Sequence, residues 1–214
     1  PGMPGRPVLI AKVLPKRQHK RPVVLLAHTD VVPADGGEWT NGVLPFSGRT
    51  QDGYLWGRGA LDMKGMLAAE AMAMVIAHRK FVNSKDYKLE RALFLVATPD
   101  EENGGSGAKW VAENMEKLFG DKPEFMLNEG GIGVKGLLFP EQDMWAVSVA
   151  ERGHLWLDVR VERASGHASQ PWVGHAIQEL VAGIERLRAA PFAVQLLPST
   201  REMLRRAATG APWW

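Results

Sequence analysis

Two unbroken apolar runs dominate the pattern along the chain, Val23-Val24-Leu25-Leu26-Ala27 and Ala92-Leu93-Phe94-Leu95-Val96-Ala97. Runs of this length, rich in branched side chains, predict strands buried on both faces. Val8 to Leu14 reads as a further strand, and Phe125-Met126-Leu127-Asn128 as a third buried one. Between Asp62 and about Lys80, Met, Leu and Ala are spaced for a buried helix. Asp62 falls at or near its N-cap and His78-Arg79-Lys80 at its C-terminal end, as the helix dipole prefers. A second helix is expected from the glycine-rich stretch at 104–107 to Phe119. The order strand, helix, strand, helix, strand predicts an α/β fold, a doubly wound sheet flanked by helices. The segment from Pro33 to Arg58 carries turn residues throughout (Gly36-Gly37, Asn41-Gly42, Asp52-Gly53) and reads as one long loop.

After Pro140 the pattern changes. Trp145 to Val149 and Leu155 to Val161 alternate apolar and polar residues, which predicts strands with one solvated face. A helix from about Pro171 to Arg188 is expected next, with proline in its first turn. These features divide the chain into an α/β domain over residues 1–151 and the opening of a smaller α+β unit over 152–214.

The predicted strands end in groups that carry chemistry. The first runs into His28-Thr29-Asp30, the second into Asp100-Glu101-Glu102, the third into Glu129, and Asp62 adds a carboxylate at a helix start. Ligands gather beyond the carboxyl ends of strands in open α/β sheets. His28 and Asp30 lie two positions apart, so their side chains leave the strand on the same side. Any one of these motifs is also what a satisfied turn or a helix-entry acid pair would show. Together, five carboxylates and one imidazole at a single sheet edge would repel one another or bind protons unless cations intervened. Oxygen ligands with a single His and no sulfur suit zinc, with manganese or cobalt able to stand in its place. Two ions about 3.5–4 Å apart that share one carboxylate would use this many acids.

Composition narrows the alternatives. Of 214 residues, 45% are hydrophobic and 23% charged, as in globular proteins, and the net charge of +2 gives no electrostatic footprint for nucleic acid. With no cysteine, disulfides, thiolate metal sites and cysteine nucleophiles are excluded. No apolar run approaches the roughly 18 residues of a membrane span, and no membrane partner is expected. The compartment stays open: the cytoplasm is favoured, and the periplasm or a secreted location is allowed. The abrupt Pro1-Gly2-Met3-Pro4-Gly5 and Ala211-Pro212-Trp213-Trp214 lead to the expectation of a fragment.

Five motifs also resemble one family in its own order: His28-Thr29-Asp30-Val31-Val32-Pro33, Gly57 through Gly65, Asp100-Glu101-Glu102, Asn128-Glu129-Gly130-Gly131, and Glu151-Arg152-Gly153 continuing to Gly166-His167-Ala168-Ser169-Gln170-Pro171. The sequence is similar to the M20 metallopeptidases, a family of aminoacylases, carboxypeptidases, dipeptidases and deacylases. The resemblance implies a zinc-exopeptidase-like catalytic domain and the beginning of an inserted lid or dimerisation domain. It implies two zinc ions bridged by Asp62, often with a cis peptide to Met63. His28 and Glu129 would complete one ion's protein ligands and Glu102 would bind the other. Asp30 would hold the His28 ring, Glu101 would be the general base, and His167 would reach across a homodimer to polarise the substrate carbonyl. The implied reaction is hydrolysis of an amide in an N-acyl amino acid or short peptide. In the family the second zinc takes a further His, and the substrate carboxylate an Arg, from later sequence. This leaves a truncated, non-catalytic chain that binds metal or dimerises as the alternative.

Two rival motifs are rejected. Gly131-Ile132-Gly133-Val134-Lys135-Gly136 matches a dinucleotide fingerprint, but Leu137-Leu138-Phe139-Pro140 breaks the helix that such a turn must open. Gly104-Gly105-Ser106-Gly107-Ala108-Lys109 lacks the Gly-Lys-Ser/Thr ending of a phosphate loop. Its glycines are expected instead to let backbone pass close to the acidic loop.

Overall fold

The computed structural model describes residues 5–39, 42–82, 84, 88–131, 133–136, 140–149, 153, 155–167, 169–170, 172–191 and 193–210. The two apolar runs form the central strands of a four-stranded sheet, β2 (Val23–His28) and β5 (Leu93–Thr98). The outer strands are β1 (Leu9–Val13) and β6 (Phe125–Leu127), giving the order β1-β5-β2-β6. β2 pairs in parallel with both β5 and β6, while β1 runs antiparallel to β5.

Alternate residues of β1, β2 and β5 feed two separate cores. On one face Val24, Phe94 and Val96 pack with Val111 and Phe119, from helices α2 (Ser106–Glu113) and α3 (Met115–Phe119). On the other, Val13 and Leu95 pack with Met74 from helix α1 (Gly65–Ala77), and Leu25, Leu67 and Ala71 join them. Cover on both faces explains why β2 and β5 read as continuous apolar runs. β6 departs from its expectation. Its three residues are exposed, because it occupies the end of the strand order and pairs with β2 alone.

Two local readings change. Within the predicted loop at 33–58, β3 (Arg49–Gln51) and β4 (Tyr54–Trp56) form a hairpin. Its turn is Asp52-Gly53, with φ of 54° and 80°, a pairing of residues that favours left-handed hairpin turns. The helix expected from Asp62 starts only at Gly65. Ala60–Lys64 is a wider turn, closed by Lys64 N–H donating to the Gly59 carbonyl at 2.9 Å. Asp62 (φ −111°, ψ 100°) and Met63 (φ −130°, ψ 30°) lie outside helical geometry, so Asp62 is not an N-cap. The Asp62–Met63 peptide is cis, as the family resemblance implies.

The chain forms two compact units, Pro1–Glu129 and Gly130–Trp214. In the second, β7 (Gly133–Lys135) and β8 (Asp143–Trp145) make a hairpin, so the Gly131–Gly136 stretch continues as a strand and not as a dinucleotide-binding helix. Residues 155–161 carry no regular structure and 146–149 no ladder, since alternation makes a strand only where a neighbour accepts its hydrogen bonds. Helix α4 (Ala176–Ala189) begins later than expected. His175 caps it by accepting from Gln178 N–H, and Pro171 lies outside the described residues. Helix α5 (Pro198–Ala207) follows, with proline in its first turn. None of this unit's described residues is buried.

Glu70 is the one charged residue of α1, and it faces inward, 7% exposed, with neither carboxylate oxygen hydrogen-bonded. Desolvation pushes its pKa up to about 7. The folded state therefore holds this proton more tightly than the unfolded chain. Its contribution is complete below the unfolded value of 4.5 and is lost as pH rises through 7. Raising pH from 5 to 8 should cost about 2 kcal/mol through this group. In Glu70→Met, urea unfolding at the two pH values should show that loss removed.

Candidate metal centre

Strand register brings the chemistry together. β2 and β5 end level, with His28 opposite Thr98, and β6 runs the same way on the other side of β2. The segments leaving these strands carry Asp30, Glu101-Glu102 and Glu129, and the Ala60–Lys64 turn brings in Asp62.

His28 is 2% exposed and sits at the centre. Its Nδ1 lies 2.9 Å from the main-chain carbonyl of Asp30 and 3.5 Å from that residue's carboxylate. A carbonyl only accepts, so Nδ1 carries the hydrogen and Nε2 presents its lone pair. That nitrogen faces Asp62 Oδ1 at 3.0 Å and Glu129 Oε2 at 3.5 Å. A lone pair aimed at two carboxylates is stable only with a proton or a cation between them. Burial by itself would lower the His28 pKa, but the Asp30 carbonyl, Asp62, Glu129 and Glu101 outweigh it and hold the pKa above the usual imidazole value. Burial raises the pKa values of Glu101 and Glu129. His28 opposes this, and neighbouring carboxylates reinforce it.

The ligand-capable atoms form two groups that share His28, one with Asp62 and Glu129, the other with Glu101 and Glu102. Within each group these atoms lie within 4.8 Å of one another. The donor set, one imidazole nitrogen and carboxylate oxygens, fits a divalent transition metal such as zinc. Six of the seven residues singled out from the sequence thus meet at one edge. The seventh, His167, belongs to the second unit, where its Nδ1 accepts from Ser169 N–H at 3.2 Å. Of the lid-like motif, Glu151, Arg152, Ala168 and Pro171 lie outside the described residues.

Several supporting residues escaped the sequence reading. The carboxylate of Asp30 accepts from the N–H groups of Glu101 (3.1 Å) and Glu102 (3.0 Å), tying the acidic loop to the end of β2. Met63 Sδ accepts from His28 N–H at 3.1 Å. Asp100 is fully buried, and it accepts from the Ser106 hydroxyl and from Gly107 N–H at 2.9 Å. A side chain that accepts from two donors, with Gly107 N–H shared between its oxygens, fixes where the loop turns into α2. Ser106, the first residue of the helix, was the available sign. A Cβ on Gly107 would lie 2.8 Å from both Asp100 Oδ1 and Pro99 Cδ, which is why glycine stands there.

An α/β sheet with an imidazole and carboxylates in two ligand-spaced groups at its carboxyl edge places this chain among the metal-site α/β proteins. The particular family follows from comparison: residues 24–209 match the model for peptidase family M20/M25/M40, and the chain belongs to that family. It is 35% identical over 168 residues to the N-fatty-acyl-amino acid synthase/hydrolase PM20D1 of Xenopus tropicalis, covering 78% of this chain and 31% of that protein. It is 34% identical over 186 residues to aminoacylase-1 of Dictyostelium discoideum, covering 86% and 42% respectively. The chain thus spans about a third of the length of PM20D1. Among solved structures, the M20 family metallo-carboxypeptidase Sso-CP2 from Sulfolobus solfataricus matches with a TM-score of 0.47 and 26% identity, over 61% of this chain and 30% of that one.

Gly107→Ala should force Asp100 and Pro99 apart and cost about 1–3 kcal/mol. Chemical denaturation would read that loss. A helical Gly→Ala change that met no obstacle would instead stabilise.

Proposed function

We propose that this chain carries the catalytic metal centre of an amide hydrolase acting on N-acyl amino acids or short peptides. One observation carries the reading: the His28 lone pair is aimed at the carboxylates of Asp62 and Glu129. The names of PM20D1 and aminoacylase-1 supply the substrate class. His28, Asp62, Glu129 and Glu102 would hold the metal. Zinc in such a site acidifies water and polarises a carbonyl.

The protein's own residues do the rest. Asp30 orients His28 through its carbonyl and fixes the Glu101-Glu102 backbone through its carboxylate. Glu101, whose pKa is held above the ordinary carboxylate value, takes a proton from the attacking water and returns it to the leaving amine. Adjacent glutamates diverge, so one can hold metal while its neighbour moves protons. In the neutral His167 ring, the accepting Nδ1 leaves the hydrogen on Nε2, as a donor to a developing oxyanion requires. Residues 152–214 are read as the beginning of the lid through which two copies pair.

A second reading, a metal-binding chain that associates without turning substrate over, is favoured by the second unit. There Trp145, Val147, Leu155 and Trp156 are each at least 80% exposed. Surface of that kind marks an association site.

Zinc content and hydrolysis of N-acetyl amino acids separate the two readings. His28→Ala should lower zinc affinity at least 10-fold, by analogy with other ligand-shell losses. Glu101→Gln should keep the metal while turnover falls roughly 10²–10⁴-fold. Zinc binding indifferent to His28→Ala would refute the centre. Metal without turnover in the unaltered chain would support the second reading.

A further inference from the structure

The first unit contains a cavity of about 820 Å³, within the roughly 300–1,000 Å³ typical of small-molecule sites. It lies where the antiparallel β1 begins beside the carboxyl ends of its neighbours, because Leu9 pairs with Ala97 near the end of β5. One end is shared with the metal centre through Asp30 and Glu102. Its apolar lining comes from Pro7, Leu9, Val31, Val32, Pro33 and Pro99. Leu9 is 58% exposed and Val32 37%, so both keep apolar surface open to a ligand.

We propose that this cavity receives the acyl chain of an N-acyl amino acid whose amide lies at the metal centre. The inference rests on the amide-hydrolase reading above and adds which half of the substrate goes where. The two acids at the shared end decide the orientation. Asp30 is committed to the amides of Glu101 and Glu102, and Glu102 belongs to the ligand cluster. A substrate carboxylate pushed past both would meet like charge, whereas an uncharged alkyl chain passes them without repulsion and can pack on Leu9, Val31, Val32 and Pro99. Arg6 also lines the cavity, and its aliphatic stem can extend the wall while its guanidinium stays in water.

The test uses the zinc-loaded chain and three probes, N-acetylglycine, N-octanoylglycine and N-dodecanoylglycine, with affinities measured by isothermal titration. Affinity should rise at least tenfold from the acetyl to the dodecanoyl probe, since each buried methylene contributes about threefold to fourfold. Val32→Asp and Leu9→Asp should each reduce that ratio about tenfold or more. Circular dichroism and zinc stoichiometry would establish that each variant is folded, and Val32→Ala and Leu9→Ala, with severalfold reductions, serve where an aspartate is not tolerated. A ratio unchanged in folded variants overturns the proposal. So does a loss of N-acetylglycine affinity beyond tenfold in Arg6→Ala, which would place the carboxylate half in the cavity. Zinc binding and hydrolysis with a flat chain-length dependence refute the cavity assignment alone. Chain-length-dependent binding that responds to Val32 and Leu9, in a chain that neither holds zinc nor hydrolyses, refutes the metal-hydrolase reading and leaves the cavity assignment standing.

Discussion

The hydrogen bond from the His28 ring to the carbonyl of Asp30 fixes the character of the site. It assigns the hydrogen to Nδ1, and so turns the other nitrogen into an electron-pair donor in a place walled by acids. Were the ring free to rotate or change tautomer, Nε2–H could donate to Asp62 and the cluster would need nothing more. Main chain, and not a titratable side chain, holds the ring, so its orientation persists across the pH range in which carboxylates lose their protons. The carboxylate of Asp30 is left to a second task, holding the backbone of Glu101 and Glu102. One residue thus aligns candidate ligands from the ends of two strands.

Each neighbouring segment adds a constraint that limits relaxation. Asp100 and Gly107 lock the acidic loop to the start of α2, and Lys64 Nζ donates to the Thr29 carbonyl to pin the Asp62 turn against the end of β2. Gly59 adopts φ of 80°, and a Cβ there would lie 2.5 Å from Val31 Cγ1. The backbone that carries Asp62, Glu101 and Glu102 is thereby held close to the end of β2. Crowding of like charge is costly by itself and useful around a cation.

The sequence disclosed what depends on side-chain pattern and concealed what depends on backbone conformation. β2 and β5 were readable because burial on both faces leaves no polar positions. His28, Asp30, Asp62, Glu101, Glu102 and Glu129 were readable because each ends such a segment or begins the next. Asp62 was mistaken for an N-cap because an acid before an apolar helix has that meaning in most chains. Only φ and ψ reveal that its turn is non-helical and that the helix waits for Gly65. The Asp52-Gly53 hairpin was hidden inside an apparent loop because its strands are three residues each. Residues 155–161 show the converse limit. Their alternation is a property of the side chains, whereas a strand is a property of two backbones, and the partner cannot be seen in one segment.

Glu70 shows why a raised pKa alone does not mark a site. Desolvation pushes its pKa higher than the ordinary value just as it does for Glu101 and Glu129, yet its two oxygens have no partner and it faces the apolar core beneath α1. A proton satisfies Glu70 completely. The acids around His28 differ in kind: several carboxylates converge on one imidazole, so a single proton shared with Asp62 leaves the other charges crowded. The geometry of convergence, together with an imidazole whose Nδ1 is held by a main-chain carbonyl, separates a candidate cation site from a buried acid. The same helix makes the contrast sharper, since α1 keeps its acid inside and turns Met72, Val75 and Ile76 outward. Polarity on that helix thus runs against the usual pattern, with an acid on the buried side and apolar side chains on the exposed one.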